Sequence, residues 1–235
     1  MALRFSPPRI ITNGLIFYLD VANSKSYISG STTTTDLISN IDGTLVNGVG
    51  YDTDDLGSFV FDGIDDAITY SFNEKIRSQV GETTSWEFWV NTTSNQGGVV
   101  GPLVSNLKTQ AFRGFSFQII NDGKIDFDVR NGSYFNKRSV HSVNDGLWHQ
   151  CLVTYNGSTN NSGVKLYIDG FEVSTTTNAN FTISPYVSTD EINIGTNPGF
   201  PQFYEGNISL VKLYDRVLSS IEVLQNYNAL KYRFI

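Results

Sequence analysis

The chain has 235 residues, of which 40% are hydrophobic, 13% aromatic and only 17% charged, and its net charge is −7. This length commonly makes one all-β domain, and the apolar share is enough for a sizeable core. The negative balance argues against a non-specific grip on nucleic acid or on an anionic membrane, because such a grip needs many positive contacts and the long-range field repels both.

The opening, Met1-Ala2-Leu3-Arg4-Phe5-Ser6-Pro7-Pro8-Arg9, lacks the apolar stretch of a secretory signal, so export by that route is not expected. No apolar run approaches the ~18 residues of a membrane span, so no membrane insertion is expected either. Pro7-Pro8 disfavours helix and central strand, and residues 1–12 read as a loose arm suited to attachment.

From residue 13 onward, turn chemistry organises the chain. Asn-Gly occurs at 13, 47, 131 and 156, and Asp-Gly at 42, 62, 122, 145 and 169. These dipeptides supply the positive φ that hairpin turns demand. Between them strands are predicted at Leu15–Leu19, Ser58–Phe61, Ala67–Tyr70, Ser85–Val90 and Gly114–Ile120. Further strands are predicted at Lys124–Val129, Leu147–Tyr155, Val164–Ile168, Glu191–Ile194 and Gly206–Tyr214. Alternation places Trp86, Phe88 and Val90 on one face of their strand, and Phe115, Phe117 and Ile119 on one face of theirs.

Ser29–Asn40 is polar and Thr-rich and reads as a surface loop. Cys151, the single cysteine, excludes an intrachain disulfide and reads as an apolar filler on the face of Val153 and Tyr155, with Leu152 opposite. Ser219-Ser220-Ile221-Glu222 matches a capping box, so a short helix is predicted over 220–230, lying on the sandwich edge as a lid. The fold class is all-β: an antiparallel two-sheet jelly-roll sandwich with a short C-terminal helix, forming one domain over 13–235.

Catalytic constellations are sparse. Asp126-Phe127-Asp128 is the nearest approach to the paired carboxylates of a glycosidase, and it reads as a solvent face opposite Ile125, Phe127 and Val129. His141 and His149 have no Ser or Cys nucleophile turn nearby, and no His-Glu-x-x-His occurs. The loops Thr196–Tyr204 and Gly132–Arg138 are rich in aromatic rings. Tyr134, Phe135, Phe200, Phe203 and Tyr204 are therefore candidates to stack on sugar rings, and packing beneath the loops or against a neighbouring subunit accounts for them equally well.

In order along the chain, several segments resemble one family. They are Ile11–Asp20 with Asn23-Ser24-Lys25-Ser26-Tyr27, Gly43–Gly48, Phe59–Asp66, Trp148-His149, Leu166–Gly170, Gly206–Ser209, Tyr214–Ser219 and Gln225–Leu230. Together they resemble the laminin-G-like, concanavalin A-like lectin/glucanase jelly rolls. The first and last segments resemble a variant found in virion proteins of tailed bacteriophages.

The resemblance implies a non-enzymatic virion structural protein, a capsid decoration or appendage module adhering to glycans. Its partners would be a major capsid or appendage protein, its location the virion after synthesis in the host cytoplasm, and its assembly a homo-oligomer. A free carbohydrate-binding lectin and a glucan-cleaving glycoside hydrolase are the alternatives. The Glu-x-Asp-x-x-Glu run of related glucanases is missing. Many relatives bind Ca²⁺, for which Asp20, Asn23, Asp62, Asp65 and Asp66 are the candidate oxygen ligands, although Ser209 stands where relatives often carry an acid. Trp148, in the family motif, is expected to fill the core.

Overall fold

The computed structural model describes residues 8–76, 81–96, 101–108 and 112–234. Each of the ten predicted runs is a strand, with ends displaced by no more than two residues. Two antiparallel sheets are stacked. The first runs, neighbour by neighbour, Phe171–Glu172, Val164–Ile168, Trp148–Asn156, Thr83–Asn91, Glu205–Tyr214, Ser58–Asp62 and Gly50–Asp52. Leu15–Asp20 joins this sheet beside the upper half of Glu205–Tyr214, where a register shift at Ser209 ends the pairing with Ser58–Asp62. The second sheet runs Thr175–Thr176, Tyr134–Ser142, Lys124–Asn131, Arg113–Ile119, Gly101–Ser105, Ile192–Ile194, Ala67–Tyr70, Asp42–Val46 and Thr33–Thr35.

The core is the interdigitated inner faces. Trp86 stacks against Phe115 with ring centroids 6.1 Å apart, and Phe88 meets Phe117 at 6.0 Å. Burying each such ring stabilises the fold by about 1.5–3 kcal/mol. Cys151 lies in this core while Leu152 packs on the opposite face of the sheet, as the alternation requires. Burial pushes the Cys151 thiol well above its usual range, which leaves it inert.

Eight of the nine turn dipeptides place their glycine at positive φ. Gly43 is the exception. It sits inside the strand Asp42–Val46, where an added Cβ would lie 2.5 Å from the Tyr70 ring. There the missing side chain serves a close packing contact instead of a turn.

Three expectations need correction. Within Ser29–Asn40, Thr33–Thr35 is an edge strand, and Asp36 is fully buried. Its carboxylate accepts backbone N–H bonds from Tyr18, Ile38 and Ser39 at 2.7, 3.1 and 2.6 Å, which closes the segment against the first strand. The helix Ser220–Leu230 forms with its capping box, but it lies across the outer face of the first sheet and not at the edge. Tyr227 stacks on Trp89 at 5.7 Å, and Phe234 beyond the helix stacks on the same indole at 4.3 Å. Trp148 is half-buried against Phe234 and stands outside the main core. Of the arm, residues 1–7 lie outside the described residues, and Arg9 and Ile11 are hydrogen-bonded to the helix through Gln225 and Asn226.

Beneath the helix the first sheet holds a fully buried ion pair. Glu87 and Lys212 face each other across adjacent strands, with neither side chain exposed and Oε1 2.9 Å from Nζ. The same oxygen accepts from Gln150 Nε2 at 2.9 Å, and Oε2 accepts from Asn226 Nδ2 of the helix at 2.7 Å. Burial pushes the Lys212 pKa down, against the pull of Glu87. Removing one partner strands a charge in the interior, whereas removing both does not. Lys212→Met should therefore lose about 3–5 kcal/mol in urea denaturation. Adding Glu87→Gln, which keeps an amide oxygen for Gln150, should recover more than half of that loss. A single variant as stable as the parent would refute this account.

Candidate functional site

The outer face of the second sheet carries the densest polar chemistry. Alternation turns Phe115, Phe117, Ile125, Phe127, Val129 and Phe135 inward and leaves three short rows facing out. Across the strands these rows are Gln118–Asp126–Arg138, Ser116–Asp128–Asn136 and Gly114–Arg130–Tyr134.

This face is not the solvent face that the sequence suggests for Asp126 and Asp128, which are only 1% and 5% exposed. Loops cover it. The Asn136 side-chain oxygen accepts from the N–H groups of Asn178 and Ala179, which cross the sheet edge, and the hairpin of Thr196–Asn197 and Gln202–Phe203 lies over the other side.

Both carboxylates are fully engaged. Asp126 accepts from Gln118 Nε2 at 3.2 Å, Asn136 Nδ2 at 2.8 Å and Arg138 Nε at 3.3 Å. Burial pushes its pKa up to about 6; Arg138 opposes the shift and neighbouring Asp128 adds to it. Asp128 takes a two-pronged bond from Arg130, Nε at 2.9 Å and Nη2 at 2.7 Å, and burial also raises its pKa against the pull of Arg130.

Arg130 is the hub. Its guanidinium lies 5.1 Å from the ring centroid of Phe112, 5.4 Å from Tyr134 and 5.6 Å from Phe200. Beside it opens a cavity of about 100 Å³ lined by Leu107, Gln118, Arg130, Asn197, Phe200 and Gln202. A planar cation ringed by aromatic faces, beside amide side chains, is an arrangement that stacks rings and binds hydroxyl or acidic groups.

Of the five aromatic candidates, the structure brings Tyr134 and Phe200 together here. Phe135 and Tyr204 are both fully buried in the core, because each follows a ring on its own strand or hairpin and alternation turns it inward. Phe203 is half-buried in the strand paired with Thr196, and no contact joins it to Arg130. Sequence reasoning missed Phe112, Arg130 and the two glutamines. The signal available for Arg130 was the period-two run Asp126, Asp128, Arg130, three charges on one face of one strand.

The oxygen ligands proposed for Ca²⁺ separate into two groups. Asp20 pairs with Leu210 and Asp62 with Glu205 along the same strand. Five residues of strand put them about 17 Å apart, too far to share an ion. At Asp20 the positive charge comes from the protein itself. Arg233 Nη1 lies 2.7 Å from its carboxylate, and Nη2 lies 2.7 Å from Ser209 Oγ and 3.4 Å from the Gly57 carbonyl oxygen. Asn23 caps the backbone of Lys25.

Asp62, Asp65 and Asp66 do come together, with one ligand oxygen of each within 4.8 Å of the others. Asp66 Oδ1 is buried without a hydrogen-bond partner among the described residues, and burial followed by the charges of Asp62 and Asp65 raises its pKa. These three carboxylates are the residues that could hold one hard cation.

A second cavity, about 420 Å³, lies at one end of the first sheet among Asn91, Gly146, Leu147, Trp148, His149, Asp169 and Phe234. His149 is a hydrogen-bonded strand residue, its two ring nitrogens 2.8 Å from Asp169 and 3.1 Å from Asp145. Burial lowers its pKa, but the bonds and charges of the two carboxylates prevail and raise it.

Comparison with known proteins follows the geometry. Residues 62–224 match the Laminin_G_3 family model, the concanavalin A-like lectin/glucanases superfamily. No curated protein is significantly similar in sequence. Among solved structures, the binding domain of Paraclostridial Mosquitocidal Protein 1 superimposes with a TM-score of 0.69 at 18% identity, over 92% of this chain and 52% of that one. The receptor binding domain of botulinum neurotoxin D gives 0.64 at 15% identity, over 91% and 52%. Domain 4 of AbnA, a GH43 extracellular arabinanase from Geobacillus stearothermophilus in complex with arabinotriose, gives 0.64 at 16% identity, over 91% and 98%. The chain spans about half the length of the toxin domains it matches.

Asp126 and His149 both bind protons more tightly in the folded chain than in an unfolded one. Their contribution to folding stability should therefore rise as pH falls. Asp126 acts between about 6 and its ordinary carboxylate value. His149 contributes stability that is fully present below its ordinary value and lost as pH rises through its raised one. Thermal melts across pH should show the first slope flattened by Asp126→Asn and the second by His149→Gln. The same melts in excess Ca²⁺ should show a gain in stability that Asp66→Asn abolishes. Slopes unchanged by the substitutions would contradict the assignments.

Proposed function

Given that the chain belongs to the concanavalin A-like lectin/glucanases superfamily, we propose that it is a non-catalytic carbohydrate-binding module whose contact surface centres on Arg130. The observation that carries this reading is the gathering of Phe112, Tyr134 and Phe200 around one guanidinium, beside a cavity lined by amide side chains. Sugar rings stack on aromatic faces while amides and guanidinium groups bond their oxygens.

The similarity to two toxin binding domains and to an arabinanase domain in complex with arabinotriose supports binding over cleavage. The engagement of the strand carboxylates supports it too. A glycosidase needs one carboxyl poised as acid and another as base or nucleophile at a reachable bond. Here Asp128 is locked to Arg130, and Asp126 is held by three side-chain donors.

On a glycan array the chain should retain a defined set of saccharides. Phe112→Ala and Phe200→Ala should each weaken that binding about tenfold, the loss expected for one stacked ring, without changing the circular dichroism spectrum. No new reducing ends should appear from a polysaccharide panel. Sustained release that Asp126→Asn abolishes would instead support the glycoside hydrolase.

The finer reading places this module on a tailed-phage particle as a capsid decoration or appendage domain, with a major capsid or appendage protein as partner. Its support is the resemblance of Ile11–Asp20 and of the segments between Tyr214 and Leu230 to virion proteins. Arg9 and Ile11 bond the chain's own helix, so residues 1–7 are the part of the arm assigned to attachment. Deleting residues 1–7 should abolish association with the particle and leave glycan binding intact. A free lectin would lose neither.

A further inference from the structure

We infer that the Arg130 cavity takes the acidic group of an anionic saccharide, carboxylated or sulfated, in preference to a neutral sugar. This inference rests on the glycan-binding reading above and names its ligand class. The argument lies in which hydrogen-bonding groups of the cavity remain available.

Arg130 commits Nε and Nη2 to Asp128, and Nη1 has no acceptor among the described residues. Gln118 is engaged at both ends: its Oε1 accepts from Ser116 Oγ at 3.0 Å, and its Nε2 donates to Asp126. Asn197 is engaged likewise. Its Oδ1 accepts from the Gly199 N–H at 3.3 Å, which fixes the amide so that Nδ2 donates to Gln202 Oε1 at 3.1 Å. That bond engages the Gln202 oxygen and leaves its Nε2, a donor, without an acceptor among the described residues.

Each side-chain acceptor lining the cavity therefore already holds one bond, and the two groups with no partner among the described residues, Arg130 Nη1 and Gln202 Nε2, can only donate. A neutral hydroxyl can accept from them, but its own O–H meets only amide oxygens that already hold a bond. A carboxylate or sulfate is acceptor-only and gains charge-assisted bonds.

Size points the same way. A cavity of about 100 Å³ has room for an acidic group. The ring would lie outside, against Phe112, Tyr134 and Phe200. The net charge of −7 does not forbid this, because charges more than about 8 Å away are largely screened at physiological salt, and the two carboxylates close by, Asp128 and Asp126, are paired with Arg130 and Arg138.

Calorimetric titration of the full chain with matched pairs tests the inference. The pairs are 3′-sialyllactose against lactose, an oligogalacturonate against its methyl ester, and a sulfated galactan oligosaccharide against its desulfated form. At least one acidic member should bind tenfold or more tightly than its neutral partner, and the arms identify which acidic group is read. Gln202→Met should reduce that preference several-fold. The double variant Asp128→Asn with Arg130→Gln, which avoids stranding a buried carboxylate, should erase it, with thermal melts confirming the fold. Equal affinity within every pair, still sensitive to Phe112→Ala and Phe200→Ala, would overturn this inference and leave the glycan-binding site standing. Binding to no pair, or binding indifferent to those two rings, would overturn both.

Discussion

The Glu87 carboxylate is the constraint around which the sandwich closes. It sits at the centre of the first sheet, and its two oxygens reach Lys212 on one neighbouring strand, Gln150 on the other and Asn226 on the helix. Asn226 in turn bonds the Tyr214 hydroxyl and accepts from the Ile11 N–H. One buried charge thus sets the mutual placement of three strands, the helix and the chain entering the first strand. A buried ion pair is weak evidence for net stability, since desolvation offsets much of the attraction. Its effect here is on position: an incorrect helix register would leave Glu87 short of a donor.

The two outer faces solve the same problem differently. The first sheet is largely covered by the helix and Phe234, so its outer residues are mostly aromatic and aliphatic around the ion pair. The second is roofed by loops, and its outer residues are polar and mutually satisfied, with Asp126, Asp128, Asn136 and Gln118 bonded within the sheet or to the roof. The loop roof leaves a gap beside Arg130, and the helix and Phe234 leave another at one end of the first sheet. The groups proposed to bind glycan lie under the loops, on a floor made rigid by paired strands.

Much of this was legible in the chain, and the failures share a cause. The alternation in Trp86–Val90 and Phe115–Ile119 and the capping box at Ser219 are local patterns, and the structure keeps them. Tyr134–Ser142 escaped because its outward positions are polar and its inward ones beyond Phe135 include Lys137 and Ser139, so no apolar period appears. Asp36 and Asp126 look like surface carboxylates in sequence, and their burial depends on donors far along the chain. The same holds for the aromatic loops. Sequence marks Tyr134 and Phe135 alike, and only strand pairing decides that one ring meets Arg130 while the other enters the core.

Arg233 gives the Asp20 corner a character of its own. Its guanidinium sits among the Asp20 carboxylate, the Ser209 hydroxyl and the Gly57 carbonyl oxygen, a set of oxygens that elsewhere would suit a metal. A tethered counterion of this kind cannot be diluted, chelated or exchanged. The join between the first strand, the last strand and the C-terminal tail therefore needs no dissolved cation to hold it.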